Sequence, residues 1–129
     1  MEYLSPDWLD AAQHAIADDA HLGRATAGVR LTVEHVAIDG PRGTIRWHLA
    51  IDDGEVRLAE GPAVDPDLRF TTDYATAIQI ATGRLGAQRA FVEGRLRVGG
   101  DLSLLIRHHK ALSTVDDVLA GVRARSFGP

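Results

Sequence analysis

Residues 29–60 read VRLTVEHVAIDGPRGTIRWHLAIDDGEVRLAE, and this run limits the fold more than any other part of the chain. In its middle, Ile45, Trp47, Leu49 and Ile51 alternate with Thr44, Arg46 and His48. Val29, Leu31 and Val33 alternate before it, and Val56 and Leu58 continue the pattern after it. Period-two alternation places apolar side chains on one face of a strand and polar ones on the other. The Asp-Gly-Pro-Arg-Gly and Asp-Asp-Gly segments between these strands are turn sequences. The run therefore predicts three antiparallel strands with one wet face and one apolar face. The alternation slips near His35, which predicts a bulge there. An apolar face of this size must be covered by other parts of the chain.

Those parts follow helical periodicity. Ser5 is placed as an N-cap with Pro6 at the first helical position and Asp7 behind it. Trp8, Leu9, Ala12 and Ile16 then make an apolar stripe in a helix read through His21. After a proline-rich connection, LRFTTD reads as a fourth strand with Leu68 and Phe70 inward. Thr72 or Asp73 can cap YATAIQIATG, a helix that stops at Gly83. AQRAFVE is a helical turn carrying Phe91, and RLRV is a fifth strand with Leu96 and Val98 inward. Gly99-Gly100 is predicted as a tight turn, with Asp101 capping a helix LSLLIRHHKAL striped by Leu102, Leu105, Ile106, His109 and Leu112. A last amphipathic helix starts near Thr114. The predicted fold is α+β: a five-stranded, mostly antiparallel sheet with one face covered by helices, in one domain spanning 1–129.

Composition excludes several functions. Without cysteine, the chain has no disulfide, thiolate nucleophile or thiolate metal site. Residues 1–82 carry 6 basic and 14 acidic side chains, and residues 83–129 carry 8 and 4, so the chain as a whole is acidic and no nucleic-acid partner is expected. The acidic start argues against a signal peptide, and no apolar run is long enough to span a bilayer. The RSFGP ending is not a peroxisomal address, which makes the cytoplasm the expected location.

Candidate chemistry is sparse. VGGDLSLL places glycines between a strand and a helix but lacks both the Walker lysine and the dinucleotide glycine spacing, and Asp101 would repel a phosphate. His14, Asp18 and His21 fall at i, i+4 and i+7 on one helical face, where a metal site or a solvated surface are the two readings. His108 and His109 point about 100° apart and do not share an ion. His109 lies on the apolar stripe, which predicts a half-buried, hydrogen-bonded ring, with contact to a ligand head group as its other role. No serine sits in a nucleophile elbow. The paired acids Asp18-Asp19, Asp52-Asp53 and Asp116-Asp117 sit at capping and surface positions. No catalytic residue, metal ligand or cofactor is expected, and the chain is not expected to be an enzyme.

The segment DLRFTTDYATAIQIATGRLGAQRAFVEGRLRVGGDLSLLIR, residues 67–107, resembles the sterol carrier protein 2 lipid-binding family. The resemblance is carried by Asp67 to Asp73, Gly83-Arg84-Leu85, Ala90-Phe91, and the run from Gly94 to Asp101. It implies a sheet-and-helix sandwich with an apolar tunnel between the layers, which holds a long apolar ligand such as a fatty acid, an acyl-CoA or a sterol-like lipid. The lining expected on that basis is Trp47, Leu49, Tyr74, Ile78, Phe91, Leu102, Leu105, Ile106, Leu112, Val118 and Leu119, with His109 as a polar contact. Arg84, Arg89, Arg95, Arg97, Arg107 and Lys110 form a basic set able to meet an anionic head group or membrane surface. The small Ala75, Ala77, Ala81 and Ala90 either leave a void between layers or let the helices pack closely. An accessory interaction domain with a filled tunnel is the alternative reading, and a small hydrolase using His109 and Tyr74 is a third. Monomer and homodimer both stay open.

Overall fold

A computed structural model describes residues 1–127 of the chain, and the side chain of Phe127 is outside the description. Gly128 and Pro129, the end of the segment read above for a targeting address, are also outside the described residues.

The sheet contains β1 (Arg30–Gly40), β2 (Gly43–Asp52), β3 (Glu55–Glu60), β4 (Leu68–Asp73) and β5 (Leu96–Gly100), in the spatial order β3-β2-β1-β4-β5. The first three form the antiparallel meander predicted from alternation. The β2–β3 turn uses Asp53 and Gly54 at φ 44° and 93°, the left-handed pair that a two-residue hairpin requires. β4 then lies parallel to β1, and β5 antiparallel to β4. Residues 61–67 therefore have to carry the chain from one edge of the meander to the far side of β1.

One buried carboxylate fastens that crossover. Glu34 on β1 is 1% exposed, points away from the helical layer, and lies beneath the crossing segment. Its Oε1 accepts the Ala63 N–H at 2.8 Å, and its Oε2 accepts Arg69 Nε of β4 at 2.5 Å. His48 Nδ1 donates to the Gly61 carbonyl at 2.9 Å, and Asp67 exchanges hydrogen bonds with the Thr32 backbone. Burial pushes the Glu34 carboxyl pKa up, but the Ala63 amide and the Arg69 guanidinium outweigh that and hold it below the usual carboxylate range.

On the other sheet face sits the helical layer: α1 (Pro6–Asp18), α2 (Ala20–Ala25), α3 (Tyr74–Ala81), α4 (Ala87–Val92), α5 (Ser103–Arg107) and α6 (His109–Phe127). Trp8, Leu9, Ala12 and Ile16 of α1 meet Val115, Leu119 and Val122 of α6 over Leu31, Val33, Leu49, Ile51, Leu58 and Leu68. Ser5 and Asp73 cap α1 and α3 as expected, accepting the Trp8 and Thr76 amides at 3.1 and 2.8 Å. No described helix is long and apolar enough to cross a membrane.

Several local expectations are corrected. The first helix ends at Asp18. Asp19 turns extended, and its carboxylate accepts the His21 and Leu22 amides to start α2, so His14, Asp18 and His21 do not share one helical face. No group of three His, Cys, Asp or Glu side chains among the described residues can hold a metal ion. Gly99 and Gly100 are not a turn. They pair with Arg69 and Leu68, and a Cβ on Gly100 would collide with the Asp67 carbonyl oxygen. The register shift in β1 falls between Ala37 and Gly40, with Asp39 at φ 58°, and pairing runs unbroken through His35. The helix read as continuous from Leu102 breaks at His108, which leaves His109 exposed rather than half-buried.

Glu34→Ala is expected to lower the unfolding free energy in urea by about 2–3 kcal/mol, because an amide donor and a guanidinium lose their acceptor. Because the folded pKa is depressed, the carboxylate's contribution is complete above the ordinary glutamate value of about 4.3 and is lost as pH falls below it. Glu34→Gln should therefore show a flatter stability curve than the parent below that pH.

Candidate ligand cavity

A cavity of about 300 Å³ lies between the sheet and the helical layer. Its floor comes from one row across three strands. His35 of β1 is paired with Trp47 of β2 and with Phe70 of β4. The His35 ring stacks on Trp47 with centroids 4.0 Å apart and planes 5° apart, and on Phe70 at 5.3 Å and 20°. Small side chains keep the space open: Ala37 beside this row on β1, and Ala77 on α3 and Ala87 on α4 above it. Ile80, Leu96 and Leu119 complete the apolar wall, and Tyr3, Thr72, Asp116 and Arg123 bring polar atoms to it.

Burial lowers the His35 pKa to about 4, with Asp116 and Glu34 pulling the other way. At neutral pH the ring is uncharged and serves as an aromatic plate between two others. Burial likewise pushes the Tyr3 hydroxyl up to about 12, against the nearby Arg123, so the phenol stays protonated. At pH 7 the cavity therefore holds no charge from its aromatic residues. Its formal charges belong to Asp116 and Arg123 of α6, joined by a 3.1 Å contact from Arg123 Nη1 to Asp116 Oδ1.

The residues expected to line a tunnel are placed as follows. Trp47 and Leu119 line the cavity. Leu49 is buried in the core, with Leu105, Leu112 and Val118 half-buried against it. Tyr74 donates its hydroxyl to the Tyr3 carbonyl at 2.8 Å and ties α3 to the N-terminal segment. Ile78 faces a second groove between α3 and α6, together with Ala81, Arg84 and Arg123. Phe91, Leu102 and Ile106 are exposed, Ile106 by 83%, because α4 turns Ala87 and Ala90 inward and α5 turns Leu104 and Leu105 inward. The basic set also divides. Arg95 bonds Thr76 and Gln79 of α3 at 3.2 and 2.6 Å and acts within the fold, while Arg89, 76% exposed, meets Glu93 at 2.9 Å on the surface. Arg84, Arg97, Arg107 and Lys110 face solvent.

A single sheet with a helical cover and an apolar hollow between them defines a small-molecule-binding α+β domain. The chain belongs to the SCP-2 sterol transfer family, whose profile matches residues 9–113. A crystal structure of sterol carrier protein 2 superposes with a TM-score of 0.70 at 19% identity, covering 92% of this chain and 98% of that one. A conserved hypothetical protein from Thermus thermophilus, described as possibly a sterol carrier protein, gives 0.69 at 20% identity, covering 95% and 90%. A palmitated sterol carrier protein 2 like 2 from Aedes aegypti gives 0.57 at 16% identity, covering 88% and 94%. No curated protein matches the sequence significantly.

His35→Phe keeps an aromatic plate in the stack and removes the titration. In the parent, the unfolded chain binds a proton near pH 6.5 that the folded chain refuses down to about 4. Stability is therefore complete above that window and should fall by about 2–3 kcal/mol across it as pH drops. Denaturant unfolding of His35→Phe should lack this loss between pH 6.5 and 4.5.

Proposed function

We propose that this chain binds a long apolar molecule in the cavity between sheet and helices and transfers it without changing it chemically. The observation that carries this reading is the hollow itself: about 300 Å³ walled mainly by Trp47, Phe70, Ala77, Ile80, Leu96 and Leu119. Dry apolar space admits apolar guests, and the volume is at the low end for small-molecule sites, which favours a single alkyl chain over a fused-ring lipid. Membership of a sterol transfer family supports lipid as the ligand class. About ten buried methylenes would contribute ~8 kcal/mol against an association cost of ~4–15 kcal/mol, which suits reversible carriage. Exposed Phe91, Val92, Leu102 and Ile106 lie in the same half of the chain as the exposed cations Arg84, Arg97, Arg107 and Lys110. That combination supports transient contact with an anionic membrane surface during loading.

Filling the hollow tests the reading. Ala77→Phe should weaken displacement of a fluorescent fatty acid by roughly tenfold or more, with far-ultraviolet circular dichroism unchanged. Ala75→Phe, on the exposed side of α3, should bind as the parent does. Equal binding by all three proteins, or no retention of any alkyl ligand in native mass spectrometry, would contradict it.

A further inference from the structure

Arg123 is the cation among the described side chains lining the cavity, and it is held where an amphiphile would need one. Its side chain is only 18% exposed, whereas the carboxylate it meets, Asp116, is 65% exposed. The two stand at i and i+7 on α6, flanking Leu119, which lies deep in the apolar wall. Arg123 also lines the open groove between α3 and α6, beside Arg84, which has no carboxylate in ion-pair range among the described residues. The guanidinium side chain therefore lines both the apolar interior and the open groove. It donates to Asp116 through Nη1 alone among the described residues, which leaves its other donors for a second acceptor. Guanidinium and carboxylate match as a two-pronged pair, and an ion pair with one exposed partner is weak and exchangeable.

We propose that Arg123 is the residue that sets the cavity's preference for an acid head group on an alkyl chain, and that Asp116 occupies the acid's place when the cavity is empty. On loading, the ligand acid takes the Arg123 donors, Asp116 swings into water, and the chain runs inward past Leu119 toward the Trp47–His35–Phe70 row. The Asp116 contact shows that Arg123 donates to a carboxylate at the edge of the cavity both residues line. A neutral head of equal chain length would have to displace that carboxylate and leave the guanidinium without a charged partner. The inference rests on the cavity being the lipid site proposed above, and the experiment separates the two.

Displacement of a fluorescent alkyl probe should be measured with tetradecanoic acid and with tetradecan-1-ol at about pH 8, for the parent, Arg123→Gln and Asp116→Asn. The parent should bind the acid roughly tenfold more tightly than the alcohol, and Arg123→Gln should bring the acid down to the alcohol's level with the alcohol unchanged. Asp116→Asn changes an exposed side chain and should fold normally; it should bind the acid severalfold more tightly, again with the alcohol unchanged. Equal binding of acid and alcohol by the parent, or no gain in Asp116→Asn, overturns the head-group assignment and leaves the lipid reading standing. Failure of both compounds to displace the probe overturns both.

Discussion

The architecture depends on a carboxylate taken out of water. Glu34 gives the 61–67 crossover a buried acceptor for the Ala63 amide and gives β4 an anchor for Arg69. Antiparallel hairpins form between neighbours in sequence, but β4 must pass over the meander to lie parallel to β1, and nothing local dictates that path. A buried acid is costly unless its bonds are filled, so the interaction penalises every arrangement in which the crossover lies elsewhere. With β4 fixed, Phe70 stands opposite His35, and β5 can add Val98 to the same row.

The cavity follows from that row. Trp47, His35 and Phe70 are stacked across three strands into a broad flat plate, and flat plates do not interdigitate with a helix as leucines do. Beside the plate Ala37 and above it Ala77 and Ala87 supply little volume. The hollow is thus the residue of two choices, rigid aromatics below and alanines above, while Val33, Leu49 and Leu68 pack solidly against Trp8, Ile16 and Val122 farther along the sheet. A well-packed half supplies stability and leaves the other half free to stay open.

Much of this is legible in sequence, and the failures share a cause. The meander, the Ser5 and Asp73 caps and the inward Leu68 and Phe70 follow from period and from the needs of helix ends, which are local. The slip near His35 is real information, but it does not mark a bulge. Glu34 and His35 exchange their usual places, the acid buried under a loop and the imidazole pressed between aromatics, and only tertiary neighbours explain either. Gly99 and Gly100 resemble a turn because glycine pairs usually are one. Here Gly100 is demanded by the close approach of the Asp67 carbonyl. Leu102 and Ile106 match a buried stripe, but after the break at His108 it is Leu104 and Leu105 that α5 packs against the core. Trp47 and Leu119 belong to the lining expected from sequence. Tyr3, His35, Asp116 and Arg123 do not: Tyr3 and His35 are placed by tertiary contacts, and a polar residue on a helix flank, as Asp116 and Arg123 are, looks the same in sequence whether it meets solvent or a cavity edge.

Function turns on whether an alkyl chain enters the space above the His35 plate. Intermolecular nuclear Overhauser effects between a bound alkyl ligand and the methyl groups of isotope-labelled protein would locate the chain. Cross-peaks are expected from it to Ala37, Ala77, Ala87 and Leu119, whose methyls border the hollow. Cross-peaks confined to Val92, Leu102 and Ile106, on the outer surface, would place the ligand outside the fold and refute internal binding.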